Sequence, residues 1–273
     1  MCIRDSPLVV YSHGSGGQRW IHANYTEFLA SHGYVVIAPD HTGNTLIERF
    51  TGVEIDRDAV LIQRAADITA LLDATFDAGA LDSLASSLNG DVVVTGHSFG
   101  GLTAYATVSG ITTGAGTYEA DPRVTAIITL APAAGPTLLP DEQLSSITVP
   151  HLVIGATSDD TTPIDPNVER PWELLGSEVS YRVDLVAAEH ETFTDLCSYP
   201  AELRELESVP ELVVDAVGDF SATSCAPTAM PLERAREIVN SFAVRFLDEV
   251  TGDGPALSSG DVAFGEDLVF VAR

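Results

Sequence analysis

Short continuous apolar runs alternate along this chain with longer segments whose apolar residues recur at helical spacing. Leu8-Val-Val-Tyr-Ser12, Tyr34-Val-Val-Ile-Ala38, Asp91-Val-Val-Val-Thr95, Val124 to Leu130, His151-Leu-Val-Ile-Gly155 and Tyr181 to Val186 are rich in β-branched residues and bounded by Gly, Pro, Asp or Ser. Runs of this length with such borders predict strands buried on both faces. Between them, Leu61, Ala65, Ile68 and Leu72 mark one helix, and Ile238, Phe242 and Phe246 mark a last one opened by Pro231. Strand and helix in alternation predict an α/β fold, a mostly parallel sheet with helices on both faces. The short connection from Leu130 to His151 has no room for a separate lid domain, so an open site is expected. The segment from Cys197 to Met230 is the longest without clear periodicity, and the tail after Gly252 is Gly- and Asp-rich before a strand-like Leu268 to Ala272.

Composition narrows the classes. With 273 residues and 45% apolar content the chain can bury one substantial core, which predicts a single domain over residues 7–273. Met1 to Ser6 read as a non-native leader. No uninterrupted apolar window is long enough to span a bilayer, so no membrane span is expected. Forty acidic residues stand against thirteen basic ones, all of them arginine, for a formal charge of -27. That charge argues against nucleic acid and anionic lipid as partners. The lack of lysine excludes Schiff-base chemistry. The acidity reads as a solvated surface rather than a cation site, and no metal or cofactor is expected. Cys197 and Cys225 flank the aperiodic segment, which suggests a disulfide in a secreted or periplasmic protein; two free thiols in a cytoplasmic one are the alternative.

The chemistry concentrates in three places. Val92-Val-Val-Thr-Gly-His-Ser-Phe-Gly-Gly101 holds G-x-S-x-G at Gly96, Ser98 and Gly100, between a buried strand and a helix-compatible stretch. In that setting a serine sits on a tight turn above the sheet as a nucleophile. Acyl transfer also needs backbone N–H donors aimed at the developing oxyanion, one after the nucleophile and one from a glycine-rich loop after an earlier strand. Phe99 and Ser15, the latter in His13-Gly-Ser-Gly-Gly17, are the candidates. A phosphate loop would require a lysine that is absent. The base and acid then follow in the order Ser, Asp, His: Asp159 or Asp160 past the strand at His151, and His190 past the strand at Tyr181.

Ser12-His-Gly-Ser-Gly-Gly, Leu29-Ala-Ser-His-Gly-Tyr-Val-Val-Ile-Ala-Pro-Asp-His41, Gly96-His-Ser-Phe-Gly-Gly and His190-Glu-Thr-Phe-Thr-Asp-Leu-Cys197 together resemble the platelet-activating-factor acetylhydrolase and dienelactone-hydrolase-like branch of the α/β hydrolases. More distantly they resemble cutinase-like polyester hydrolases. The resemblance implies a serine carboxylic-ester hydrolase acting on short to medium acyl esters, with polyesters and acetylated lipids within its range. An amidase or peptidase using the same triad, or a non-catalytic binding module on the same fold, is the alternative. In this branch a proline often follows the catalytic acid by four positions, and Pro163 satisfies this for Asp159 rather than Asp160. The chain departs from the branch in beginning at the strand before the oxyanion loop, where two further strands usually precede it; either those N-terminal edge strands are absent or the N-terminus, with any signal peptide, has been lost. Leu130-Ala-Pro-Ala133 also lacks the aromatic that polyester hydrolases commonly place there, and His97 replaces the aromatic often found before the nucleophile. The site walls are expected from the loops Gln18 to His22, Pro132 to Leu139 and Pro163 to Leu175.

Overall fold

The computed structural model describes residues 6–53, 56–76, 82–222, 224–252, 254–258 and 264–273. Residues 1–5 of the expected leader lie outside the described residues, and Ser6 opens the first strand. The strands are β1 (Ser6–Ser12), β2 (Val35–Ile37), β3 (Leu88–His97), β4 (Ile111–Thr113), β5 (Gly116–Tyr118), β6 (Ala126–Leu130), β7 (His151–Ala156), β8 (Ser180–Leu185) and β9 (Leu268–Ala272). Seven of them form one sheet in the order β2-β1-β3-β6-β7-β8-β9. All neighbours are parallel except β8 and β9. The expected mostly parallel sheet is therefore what the chain builds.

Alternation along β1 shows why the strand reads as continuously apolar. Val9 and Tyr11 face a core shared with Tyr25, Leu29, Ile238, Phe242 and Phe246, on the helices Ala23–Ser31 and Leu232–Thr251. Leu8 and Val10 face the opposite core, with Leu61, Ala65, Ile68 and Leu72 of the helix Arg57–Phe76 and Leu102 of the helix Phe99–Ser109. Both faces of the strand are covered, so no polar alternation survives. The two helices marked by periodicity are both present, the last one with Pro231 just before its first turn.

The segment from Cys197 to Met230 is more regular than its sequence suggests. It folds as the helices Tyr199–Arg204 and Glu211–Ala222. Leu212 and Val213 of the second are 81% and 44% exposed, and Val214 is buried. Three adjacent apolar residues do not make a 3.6-residue stripe, so periodicity gave no signal. The β4–β5 hairpin and the helix Ala23–Ser31 were likewise not singled out from the sequence.

Candidate active site

The turn after β3 is shaped by contacts between backbones. Ser98 has φ 56° and ψ -117°, in the positive-φ region that non-glycine residues occupy only under constraint, at about 1–3 kcal/mol. Two neighbours supply that constraint: Ser98 N–H donates to the Leu130 carbonyl at 2.9 Å, and Ala133 N–H donates to the Ser98 carbonyl at 3.0 Å. A Cβ on Gly100 would lie 1.9 Å from the Ser12 carbonyl oxygen, and one on Gly96 would lie 2.4 Å from the Gly100 backbone. The motif's glycines are thus required by close approach, and the serine is lifted clear of the sheet. Its hydroxyl makes no hydrogen bond among the described residues.

Asp159 and His190 arrive from the loops after β7 and β8. His190 Nδ1–H donates to Asp159 Oδ2 at 2.7 Å, which leaves Nε2 as the unprotonated nitrogen in the neutral ring. Asp159 is 3% exposed and also accepts from the N–H groups of Thr161 and Thr162 at 2.8 and 2.7 Å and from the Thr162 hydroxyl at 2.8 Å. Burial by itself would raise this carboxyl, but the bonds from His190 and Thr162 outweigh it and hold the group below its usual range. Asp160 is exposed. His97, next to the serine, packs its ring 4.6 Å from that of His190 and donates Nε2–H to the His190 carbonyl at 3.0 Å. Burial, reinforced by the adjacent His190, holds His97 well below the usual histidine range and hence neutral. The sequence placed His97 in the motif loop without anticipating this role as a brace on His190.

A disulfide supports the same turn. Cys197 and Cys225 are bonded, with their Cα atoms 5.8 Å apart. Ala226, next to Cys225, donates its N–H at 2.9 Å to the carboxylate of Glu189, the residue before His190. The disulfide expected from the sequence is present, and through Ala226 it tethers the segment that carries His190.

The loop after β1 is held by a buried arginine. Arg64 lies on the apolar stripe of the helix Arg57–Phe76 and is 1% exposed. Its Nε donates to Thr103 Oγ1 at 3.0 Å, one terminal nitrogen to Asn44 Oδ1 at 2.7 Å, and the other to Ser12 Oγ at 3.0 Å and to the His13 carbonyl. The guanidinium also stands 5.1 Å from the centre of the Phe99 ring. Burial lowers its pKa to about 9, against the opposing pull of Asp67, so it stays charged at neutral pH. Ser12 is in turn bonded to His41 Nε2 at 2.9 Å, and His41 Nδ1–H donates to Asp67 at 2.8 Å. His41 N–H donates to His13 Nε2 at 3.1 Å, and Asn44 reaches Ser15 Oγ at 3.3 Å. Burial and the neighbouring Arg64 push His13 down to about 3 and His41 to about 2, so both rings are neutral. The result is a polar core that fixes the backbone on either side of Ser15. It went unnoticed in the sequence, although an arginine between Leu61 and Ile68 on a buried stripe is the signal that could have revealed it.

The turn after β3 and the loop after β1 meet at a cavity of about 470 Å³, whose lining does not include Asp159 or His190 themselves. Ser98, Ser15 and Phe99 line it, with Thr161 and Thr162 beside Asp159. Ala133, Gly135, Leu138 and Asn167 come from two of the three expected wall loops. The third, Gln18 to His22, supplies none of the lining residues; Asn44, Arg57 and Val60 stand there instead. That correction has a packing cause: Gly17 bridges to Thr45, so the chain after β2 continues the wall where the loop after β1 turns away. Among the described residues, none between Cys197 and Met230 lines the cavity. Among the described residues, no helix is long and apolar enough to cross a membrane.

A model of the alpha/beta hydrolase family matches residues 9–254. Platelet-activating factor acetylhydrolase of Bos taurus is 28% identical over 144 residues, 38% of this chain and 32% of that protein, so the match spans about a third of that relative's length. The structure of a ferulic acid esterase from Streptomyces cinnamoneus superposes with a TM-score of 0.66 at 23% identity, covering 97% of this chain and 74% of that one, a likeness of fold.

Proposed function

The chain belongs to the alpha/beta hydrolase family, and on that premise we propose that it cleaves carboxylic esters through an acyl-enzyme, with Ser98 as nucleophile, His190 as general base and Asp159 as the acid that orients it. The observation that carries this reading is the His190 Nδ1 to Asp159 bond of 2.7 Å beside a serine raised on a positive-φ turn. With Nδ1–H committed to Asp159, Nε2 is free to take the Ser98 proton as Oγ attacks the ester carbonyl. The oxyanion then accepts from the N–H groups of Ser15 and Phe99, both at the cavity wall. His190 returns the proton to the departing alcohol, and water, activated by the same nitrogen, releases the acid and restores Ser98. By their names, the bovine relative and the streptomycete neighbour act on an acetyl compound and an ester, which favours esters over amides. The disulfide supports an oxidising compartment outside the cytoplasm as its setting.

The test is a hydrolysis profile of wild type and Ser98→Ala over p-nitrophenyl esters from acetate to palmitate. We expect kcat/KM to fall with acyl length and no activation at a lipid interface, because carbons beyond the rim of an open cavity gain little of the roughly 0.8 kcal/mol available per buried methylene. Wild-type turnover by folded Ser98→Ala would sink the mechanism. A steady rise towards palmitate would instead sink the open-site account.

A further inference from the structure

Arginines are the chain's only strongly basic side chains, thirteen against forty acids. Nearly all are held. Arg123 pairs with Asp73 and Asp121, Arg182 with Glu169 and Asp184, and Arg64 is bonded throughout the buried network. Arg204 and Arg273 donate to backbone carbonyls. Among the described residues, Arg57 alone has no hydrogen bond, ion pair or ring partner. It is exposed, and it lines the cavity that holds Ser98.

Folding stability gives no reason for this placement. Arg57 is the first residue of its helix, where a cation opposes the helix dipole. The adjacent carboxylates are already engaged: Asp56 accepts from the N–H groups of Asp58 and Ala59 at 2.9 and 3.2 Å, and Asp58 accepts from Gly114 N–H at 2.9 Å. The remaining fact is electrostatic. A protein of charge -27 repels anions at long range, so an anionic substrate would need a cation at the site itself to dock.

We propose that Arg57 receives a carboxylate carried by the ester substrate away from the scissile bond, so that the preferred substrates are acid-bearing esters. A guanidinium offers paired donors that match a carboxylate, and Asn44 and Ser15 add polar groups to the same cavity. The inference rests on the esterase reading above, and the assay separates the two.

The experiment compares kcat/KM for matched pairs: p-nitrophenyl hydrogen glutarate against p-nitrophenyl valerate, and 4-carboxyphenyl butyrate against phenyl butyrate. The first pair places the acid on the acyl side and the second on the alcohol side. In one pair, Arg57→Gln lowers the acid-to-neutral ratio by about two- to fivefold, the scale of a solvent-exposed ion pair, mainly through KM. Arg57→Lys retains most of the ratio. Arg204→Gln removes the same charge from a residue that does not line the cavity and leaves the ratio unchanged. An unchanged ratio in both pairs for Arg57→Gln, or an equal fall in Arg204→Gln, overturns the proposal while the esterase reading stands. A wild type inert towards all four esters fails the esterase reading and the proposal with it.

Discussion

Two serine-histidine-aspartate chains run through this molecule, and the one with the more complete hydrogen bonding is the one not proposed to act. Ser12, His41 and Asp67 are joined by bonds of 2.9 and 2.8 Å, whereas the Ser98 hydroxyl is bonded to nothing among the described residues. The difference lies in what surrounds each serine. Ser12 ends a regular strand, is 0% exposed, and accepts a bond from Arg64 while giving its own proton to His41. Its hydroxyl is fully used. Ser98 stands on a turn that strains the backbone and lines a cavity that Phe99 and Ser15, the proposed oxyanion donors, also line. A nucleophile must be accessible and unsatisfied, and an oxyanion must have somewhere to go; a hydrogen-bonded triad alone provides neither. The inner triad belongs to the network that holds the loop carrying Ser15, the proposed oxyanion donor.

The largest expected effect tests that contrast directly. Ser98→Ala should lower kcat by about 10⁴-fold or more and abolish labelling by a fluorophosphonate, whereas Ser12→Ala should still be labelled. Labelling lost in folded Ser12→Ala but kept in Ser98→Ala would invert the two roles. Next, Asp159→Ala should cost on the order of 10⁴-fold, through loss of the productive tautomer of His190, and Asp160→Ala only a few-fold. The reverse ranking would move the acid by one residue.

The two sets are also braced by different means, a disulfide beside His190 and a buried arginine beside His41. Arg64→Met leaves Ser12, Asn44, Thr103 and the His13 carbonyl without their donor, and should destabilise by about 3–5 kcal/mol. Loosening of the Ser15 loop should lower kcat about ten- to a hundredfold in the folded fraction, with KM little changed. Denaturant titration and kinetics together decide it, because unaltered kcat would make the network structural only. Replacing Cys197 and Cys225 by Ser should cost about 3 kcal/mol through the longer free loop of the unfolded chain. A change in Tm of under a degree would contradict that cost.

The last test, aimed at the inner network, is acid sensitivity. Buried His13, His22 and His151 are pushed down to about 3 and His41 to about 2, each chiefly by burial, from an unfolded value of 6.5. Between those limits the unfolded chain binds more protons, so the stability these rings contribute is present above pH 6.5 and is lost progressively as pH falls. Asp67 works in the opposite direction: burial, against the pull of Arg64, raises it from 3.8 to about 6, so its contribution is present below 3.8 and fades as pH rises through 6. Four histidines outweigh one carboxyl, and Tm should fall from pH 7 to pH 4, with a shallower slope in His41→Gln. A flat Tm over that range would show that these rings are not buried neutral.

Much of this was legible in residue order. The six strands, of which the edge strand β2 is only half-buried, the turn demanded by Gly96 and Gly100, the pairing of Cys197 with Cys225 and the proposed order Ser98, Asp159, His190 all rest on local period, local sterics or spacing, which a chain carries before it folds. Asp159 was preferred over Asp160 through the position of Pro163, and the structure places Asp159 against His190. The inner network had no comparable signature. Arg64 meets partners 20, 39, 51 and 52 residues away, and its burial depends on how the helix Arg57–Phe76 packs against β1 and the helix Phe99–Ser109. The same packing, rather than the expected loop Gln18 to His22, sets Asn44, Arg57 and Val60 at the cavity wall. Which side chains face each other across two packed elements depends on the rotation and separation of those elements, and these are fixed only when the core on each side of the sheet has closed.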